Sequence, residues 1–223
     1  MSVTASKRSL LAILFGLLRV ADVHGQSGGR DLPRGLRSLA GISLNEDSAA
    51  TVRTKLGRTR EQRVGAGHHD YVSWCYVPAE LPRGVLELMS DARDMGTPGL
   101  ALNVIRLRAE APPADREGCV PLPSAAGLST PAGLGLGLSL TKIVELLGQP
   151  TRRGADSLIY YFDAKQDLRL GSPEYQFWNT PEHRETCFDA GLPYANVAAS
   201  VIVLARDGRA VEVRIERNDQ SIC

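Results

Sequence analysis

The sequence predicts an α+β fold of two tandem modules, each a helical segment packed on a small antiparallel sheet. The main observation is an internal repeat. The pattern Gly–apolar–Ser–Leu, followed by a helical stretch that ends in Leu-Gly, occurs at 41–57 and again at 137–148. An aromatic strand follows each copy, Trp74-Cys75-Tyr76 in the first and Tyr160-Tyr161-Phe162 in the second. Self-similarity of this kind indicates a duplicated structural unit.

Each module is expected to open with a short helix. Ser43 and Glu46 match a capping box, in which a hydroxyl and a carboxylate satisfy free N–H groups at the start of a helix. Gly57 is placed to end that helix with a positive φ. In the second copy, Ser139 takes the cap position and Gly148 the end of the helix.

The strands are predicted from alternating apolar and polar residues. The clearest case is a hairpin over 201–216, in which Asp207-Gly208 supplies the turn. The other expected strands are 69–77 and 157–163, which follow the helices, and the pair 85–89 and 102–108 in the first module.

Composition divides the chain further. A stretch rich in Pro, Ser, Ala and Gly separates the two copies, and a stretch rich in Gly and Arg precedes the first. The expected boundaries are 1–25 for a signal peptide, 26–40 for a flexible leader, 41–120 for the first module, 121–136 for a linker and 137–223 for the second module.

The N-terminus has the pattern of a cleavable signal peptide. Lys7 and Arg8 precede an apolar run at 10–18, and Val23 and Gly25 occupy the −3 and −1 sites. Removal of this segment takes away two net positive charges, so the formal charge changes from +1 to −1. A near-neutral chain argues against nucleic acid as a partner and against binding to an anionic membrane. The protein is therefore expected to be periplasmic or secreted, without stable membrane insertion after cleavage.

All four cysteines follow the signal segment, and an even count in an exported chain favours disulfides. Four cysteines allow three pairings, and sequence alone does not choose among them. The repeat favours pairing within each module, which joins Cys75 to Cys119 and Cys187 to Cys223. Their spacing does not fit a zinc knuckle.

The histidines are the main candidates for chemistry. His68 and His69 precede Asp70, and His183 lies between two glutamates. Neighbouring residues on a strand point to opposite faces, so His68 and His69 cannot easily share an ion. We therefore predict no catalytic, metal or cofactor site. A small hydrolase or metal-dependent enzyme that uses His68, His69 and His183 remains the alternative.

A long insertion in the second module, 171–193, contains several aromatic residues. Tyr175 and Trp178 are the predicted partner-binding residues, because Tyr and Trp are enriched among interface hot spots. Most of the other rings are expected to lie in the core of modules this small.

The repeated motif resembles the SmpA/OmlA (BamE) domain, and its tandem arrangement is similar to the secreted β-lactamase inhibitor proteins. The matching residues are Gly137, Ser139, Leu147, Gly148, Pro150 and Tyr160 in the second copy, and Gly41, Ser43, Leu56, Gly57, Trp74 and Tyr76 in the first. The resemblance implies a non-catalytic binding module of the bacterial cell envelope or medium, with another envelope or secreted protein as its partner. A purely structural envelope component is a third possibility.

Overall fold

The computed structural model describes residues 30–64, 71–91, 102–123, 127–167 and 194–222. Its elements in chain order are β1 (Ser38–Leu39), β2 (Ile42–Ser43), α1 (Ala49–Leu56), β3 (Gln62–Val64), β4 (Tyr71–Val77), β5 (Val85–Asp91), β6 (Val104–Arg108), β7 (Val120–Pro121), α2 (Leu140–Leu147), β8 (Arg152–Arg153), β9 (Ser157–Asp167), β10 (Tyr194–Arg206) and β11 (Arg209–Ile222). Short 3-10 turns lie at Arg34–Leu36 and Pro113–Arg116.

Nine of these strands form one sheet, of which eight lie in the order β3-β4-β5-β6-β11-β10-β9-β8 and the ninth, β7, lies beside β4. Neighbours on this path are antiparallel, and β7 pairs with β4 in parallel, so the sheet is mixed. The hairpin predicted over 201–216 is confirmed as β10 and β11, with positive φ at Asp207 and Gly208. The predicted strand pair of the first half is also confirmed, as β5 and β6.

The predicted fold class was wrong. Instead of two helical segments on separate small sheets, the described chain is mainly strand, with two helices of eight residues each. The third long strand of each half, β6 in the first and β11 in the second, pairs with the other over Val104–Arg108. An unpaired strand edge would leave N–H and C=O groups without partners, and this pairing satisfies them by fusing the two halves. The boundaries 41–120 and 137–223 stay a prediction.

One hydrophobic cluster covers one face of the sheet, here called the core face. It includes Trp74 and Leu88 from the first half and Leu158 and Val213 from the second. The helices pack on this face through Val52 and Leu56 of α1 and Ile143 of α2. Part of the predicted leader also contributes to this core, because Leu32, Leu36 and Leu39 are fully buried.

The helix caps match the prediction in the second half only. Ser139 Oγ accepts the Lys142 N–H and caps α2. In the first half Ser48, not Ser43, caps α1 by accepting the Thr51 N–H. Ser43 lies in β2, because the first copy has extra residues between its motif and its helix. Neither helix of the described chain has the length and apolar character needed to cross a membrane.

Two tyrosines show how the halves correspond. Tyr76 Oη donates to the Gly57 carbonyl at 3.0 Å, and Tyr160 Oη donates to the Gly148 carbonyl at 3.2 Å. Each glycine ends its helix with a positive φ. Tyr76 and Tyr160 therefore occupy equivalent positions. Burial raises the pKa of both hydroxyls, that of Tyr76 to about 12, while the charge of Arg53 opposes the shift at Tyr76.

Candidate protein-binding face

The side of the sheet opposite the core, here called the outer face, differs between the halves. Side chains alternate along a strand, so the residues between core positions point outward. In the first half this places Cys75, Val85, Glu87, Arg106 and Arg108 on the outer face. In the second half it places Ile159, Tyr161, Ile202, Leu204 and Arg214 there.

A segment of the chain's own backbone, residues 109–119, covers the outer face of the first half. We call it the strap. β6 ends at Arg108, and Pro112 and Pro113 then follow, whose missing N–H groups are incompatible with a continued central strand. The chain turns back across β5 and β4 and joins the sheet again as β7.

A disulfide fixes the strap to the sheet. Cys75 on β4 is bonded to Cys119 with a Cα–Cα distance of 4.8 Å, which confirms the predicted pairing. Around the disulfide, Val85 and Ala111 form a small buried cluster with Cys75. The second predicted pair, Cys187 with Cys223, lies outside the described residues.

Polar contacts hold the strap along its length. Arg108 Nη1 donates to Asp115 Oδ2 at 2.7 Å. The strap also accepts hydrogen bonds at two of its backbone carbonyls, from Gln62 Nε2 at 2.8 Å and from Thr59 Oγ1 at 3.3 Å. Arg116 donates in turn to the carbonyl of Pro82 at 2.8 Å. The strap is therefore fixed to the sheet along its length, and its Asp115 forms an ion pair with the nearly buried Arg108.

Where the halves meet, charges on the outer face are compensated. Arg106 donates to Glu212 through Nε at 2.8 Å and through Nη2 at 3.1 Å, and lies 3.6 Å from Glu87. Glu87 also forms an ion pair with Arg108 at 3.1 Å. Burial raises the pKa of the Glu87 carboxyl, and the charges of Arg108 and Arg106 oppose that shift. Within the described ranges no group of three or more His, Cys, Asp or Glu side chains could hold a metal ion.

The outer face of the second half carries four apolar residues, two exposed and two half-buried, which we call the open patch: Ile159, Tyr161, Ile202 and Leu204. Tyr161 is 52% exposed and Leu204 is 39% exposed. β11 contains no Pro or Gly and continues along β10 to Ile222, so its chain does not turn back as β6 does. Neither hydrophobic cluster of the described chain includes a residue of the open patch.

Arg152 borders the open patch from the edge strand β8. It pairs with Ile159 on β9, so both side chains point to the outer face. The Arg152 guanidinium carbon lies 5.8 Å from the centroid of the Tyr161 ring, within the range of a cation–π contact. Arg152 forms no ion pair with any residue of the described ranges. The edge itself is fixed by the Tyr161 N–H, which donates to Thr151 Oγ1 at 3.0 Å.

The open patch has the composition of an interface. Exposed aromatic and aliphatic side chains lie at its centre, an arginine stacks on the ring, and charged residues of β11 border it. Protein interfaces have this arrangement of an apolar centre and a polar rim, with Tyr and Arg enriched.

The residues predicted to bind a partner or to carry chemistry are not among those the structure describes. Tyr175, Trp178, His68, His69 and His183 all lie outside the described ranges, so their roles stay predictions. Sequence reasoning missed Leu204, and it placed Tyr161 only in a group of aromatic residues of which most were expected in the core. The signal that could have found Tyr161 is strand alternation, because its neighbours Tyr160 and Phe162 are both buried.

Comparisons with protein-family models, with curated proteins and with solved structures find no match to this chain.

Proposed function

We propose that this protein is an exported, non-enzymatic binding module of the bacterial cell envelope or medium, and that it holds another protein on its open patch. The observation that carries the proposal is Tyr161, half exposed on the outer face beneath Arg152. Large aromatic side chains and arginines supply most of the binding energy at protein interfaces. The resemblance to the BamE domain and the β-lactamase inhibitor proteins supports a binding role.

The chemistry of the face favours contact over catalysis. The two acidic residues of β11 that border the open patch, Glu212 and Glu216, are both in ion pairs with arginines. They are therefore poor candidates for proton transfer. The patch offers apolar area with the guanidinium of Arg152 at its border, for which the described residues supply no ion-pair partner, and this combination suits recognition of a protein surface.

Export is the second part of the proposal, and the N-terminal pattern supports it. We expect cleavage after Gly25, which leaves a mature chain of 26–223. Intact-mass measurement of the protein recovered from the periplasm or the medium tests this. A recovered protein that still contains residues 10–18 would contradict it.

The binding face can be tested by site-specific photo-crosslinking. A photoreactive phenylalanine analogue at Tyr161, in the mature disulfide-bonded chain, should crosslink one envelope or secreted protein. The same analogue at Leu146 is the matched control, because Leu146 lies on α2 and is 38% exposed, close to the exposure of Leu204. We expect no crosslink from Leu146.

The affinities of variants for the captured protein then show whether the open patch or another part of the surface makes the contact. Tyr161→Ala and Leu204→Ser should each weaken binding about 10-fold or more, as loss of an interface hot spot does, whereas Leu146→Ser should leave it unchanged. Tyr175→Ala and Trp178→Ala test the two anchors predicted from sequence. Equal affinities of the Leu204→Ser and Leu146→Ser variants would remove the open patch from the proposal.

A further inference from the structure

The two halves of the sheet are related by an approximate two-fold axis. The hydrogen bonds of Tyr76 and Tyr160 to the glycines after their helices fix which residues correspond. From the residue before each tyrosine, the residue pairs across neighbouring strands can be followed to the third long strand of its half. The same steps lead to Arg106 on β6 and to Arg214 on β11, so these two arginines correspond. These two arginines are also paired with each other across β6 and β11, so the axis passes between them.

This correspondence relates the strap-covered surface to the open patch. The residues beneath the strap and their counterparts in the second half lie on the same face and at equal distances from the axis. The corresponding pairs are Cys75 and Ile159, Val85 and Ser200, Glu87 and Ile202, and Arg108 and Glu216. The protein thus contains one occupied and one unoccupied copy of the same surface within the part of the chain that the structure describes.

We propose that the open patch binds a short segment of the partner that crosses β11, β10 and β9 as the strap crosses β6, β5 and β4. The segment carries a basic residue where the strap carries Asp115. This inference rests on the proposed function and specifies the chemistry of the partner.

Charge complementarity determines the sign of that residue. In the first half, Arg108 donates to the Asp115 carboxylate at 2.7 Å and is itself only 10% exposed. The corresponding residue in the second half is Glu216, which is 17% exposed and faces Arg214 at 3.0 Å. Glu212 lies further along the same face of β11. A carboxylate at the Asp115 position would be repelled by Glu216, whereas an ammonium or guanidinium group is attracted.

The rest of the segment follows from the strap as well. Cys119 covers Cys75 in the first half, and Ile159 stands in the place of Cys75, so the partner places an apolar side chain there. Tyr161 and Ile202 flank this position. The strap begins its 3-10 turn at Pro113, directly after Pro112, and prolines reduce the conformational entropy lost when a segment is ordered. We therefore infer a proline-containing, apolar and basic segment.

Disulfide tethering of strap peptides tests the inference. The probes are an acetylated and amidated peptide with the sequence of residues 111–119, and the same peptide with Asp115→Lys. Each is offered to the full mature chain with Ile159→Cys, whose thiol replaces the side chain that corresponds to Cys75. The extent of capture is measured by intact mass over a series of 2-mercaptoethanol concentrations, and peptide mapping locates the attachment.

We expect the Asp115→Lys peptide to be captured about 3- to 10-fold more strongly than the strap peptide, which is the range for exchanging repulsion for attraction at a partly exposed charge pair. Adding Glu216→Gln to Ile159→Cys should remove most of this preference. Adding Glu145→Gln on α2, a carboxylate paired with Lys142 away from this face, should preserve it. The Arg153→Cys variant, on β8 but facing the other side, should capture both peptides equally.

Equal capture of the two peptides by the Ile159→Cys variant, or a preference for the strap peptide, overturns the inference. So does a preference that survives Glu216→Gln. None of these results affects the proposed function, which depends on crosslinking from Tyr161 to a protein partner. Absence of that crosslink would instead remove the proposed function, whatever the peptides show.

Discussion

At the scale of single residues, Tyr76 and Tyr160 have the same role in the two halves. Each hydroxyl reaches from the sheet to the carbonyl that ends a helix, and so ties the helix to the core face. The two copies differ in the number of residues between the Gly–apolar–Ser–Leu motif and the tyrosine, yet both form this tyrosine–glycine hydrogen bond. The tyrosine–glycine contact is therefore the most specific structural mark of the duplication.

Replacing either tyrosine by phenylalanine should lower the free energy of unfolding by about 0.5–1.5 kcal/mol, the usual net value of one hydrogen bond. Denaturant unfolding of Tyr76→Phe and Tyr160→Phe measures this loss. Tyr161→Phe is the matched control, because its ring is exposed and the wild-type hydroxyl contacts neither helix end. A loss as large in Tyr161→Phe as in the other two would contradict the assigned role.

The raised pKa of Tyr76 gives a pH dependence with a defined sign. The ordinary value is 10.0 and the value in the folded chain is about 12, so the folded state retains this proton more strongly than the unfolded state. The stability from the neutral hydroxyl is complete below pH 10 and is lost as the pH rises through 12.

Between pH 10 and pH 12, the free energy of unfolding of Tyr76→Phe should fall less steeply with pH than that of the wild type. Unfolding midpoints at several pH values from 9 to 12 measure the difference, and subtraction removes the titration of other groups. Parallel curves for the two proteins would show that Tyr76 titrates normally.

At the scale of elements, the two helices show how a local pattern can be right in one copy and wrong in the other. Ser139 caps α2 as predicted, whereas the extra residues of the first copy transfer the cap from Ser43 to Ser48. The Ser43 N–H instead donates to Asp47 Oδ2 at 2.8 Å. A matching capping-box pattern therefore does not locate a helix start when an alternative serine follows.

We expect Ser48→Ala and Ser139→Ala each to cost about 1 kcal/mol in unfolding free energy, as lost N-caps do. Ser43→Ala should cost clearly less, because its hydroxyl caps neither helix. Denaturant titration of the three variants tests this. A larger loss in Ser43→Ala than in Ser48→Ala would contradict the assignment of the cap.

The strap depends on its disulfide. The bond closes a loop with a sequence separation of 44, so the chain-entropy model gives about 3–4 kcal/mol for its removal. We expect the doubly substituted Cys75→Ala, Cys119→Ala chain to lose this much stability, measured by denaturant unfolding. Hydrogen exchange should rise most in residues 109–119. Unchanged exchange in this segment would mean that Arg108 and Asp115 hold the strap without the disulfide.

At the scale of the whole molecule, the edge-to-edge pairing of β6 with β11 makes one sheet and one core out of two repeats. The paired arginines on the axis, together with the ion pairs of Glu87 and Glu212, place charge where the halves meet on the outer face. Because the core residues of both halves belong to one cluster, the described chain should unfold as a unit.

Leu88→Ala in the first half and Leu158→Ala in the second should therefore each lower the free energy of unfolding by about 2–5 kcal/mol. Each variant should still unfold in a single transition. With Trp178→Phe as background, Trp74 becomes the only tryptophan and reports on the first half. Its fluorescence and the far-UV circular dichroism should give coincident curves in every variant. Two separate transitions would indicate that the halves fold independently.

The amino-acid sequence by itself determined the repeat, the hairpin of β10 and β11, the helix cap at Ser139 and the pairing of Cys75 with Cys119. These features depend on neighbouring residues or on positions within one copy, so local propensity and spacing predict them. The tertiary structure decided the fusion of the two sheets, the burial of Leu32 and Leu36, and the contrast between a covered and an open outer face. Those features depend on which strand edge meets which and on where the chain turns after β6. Such contacts join residues distant in sequence, and alternation along a single strand does not specify their partners.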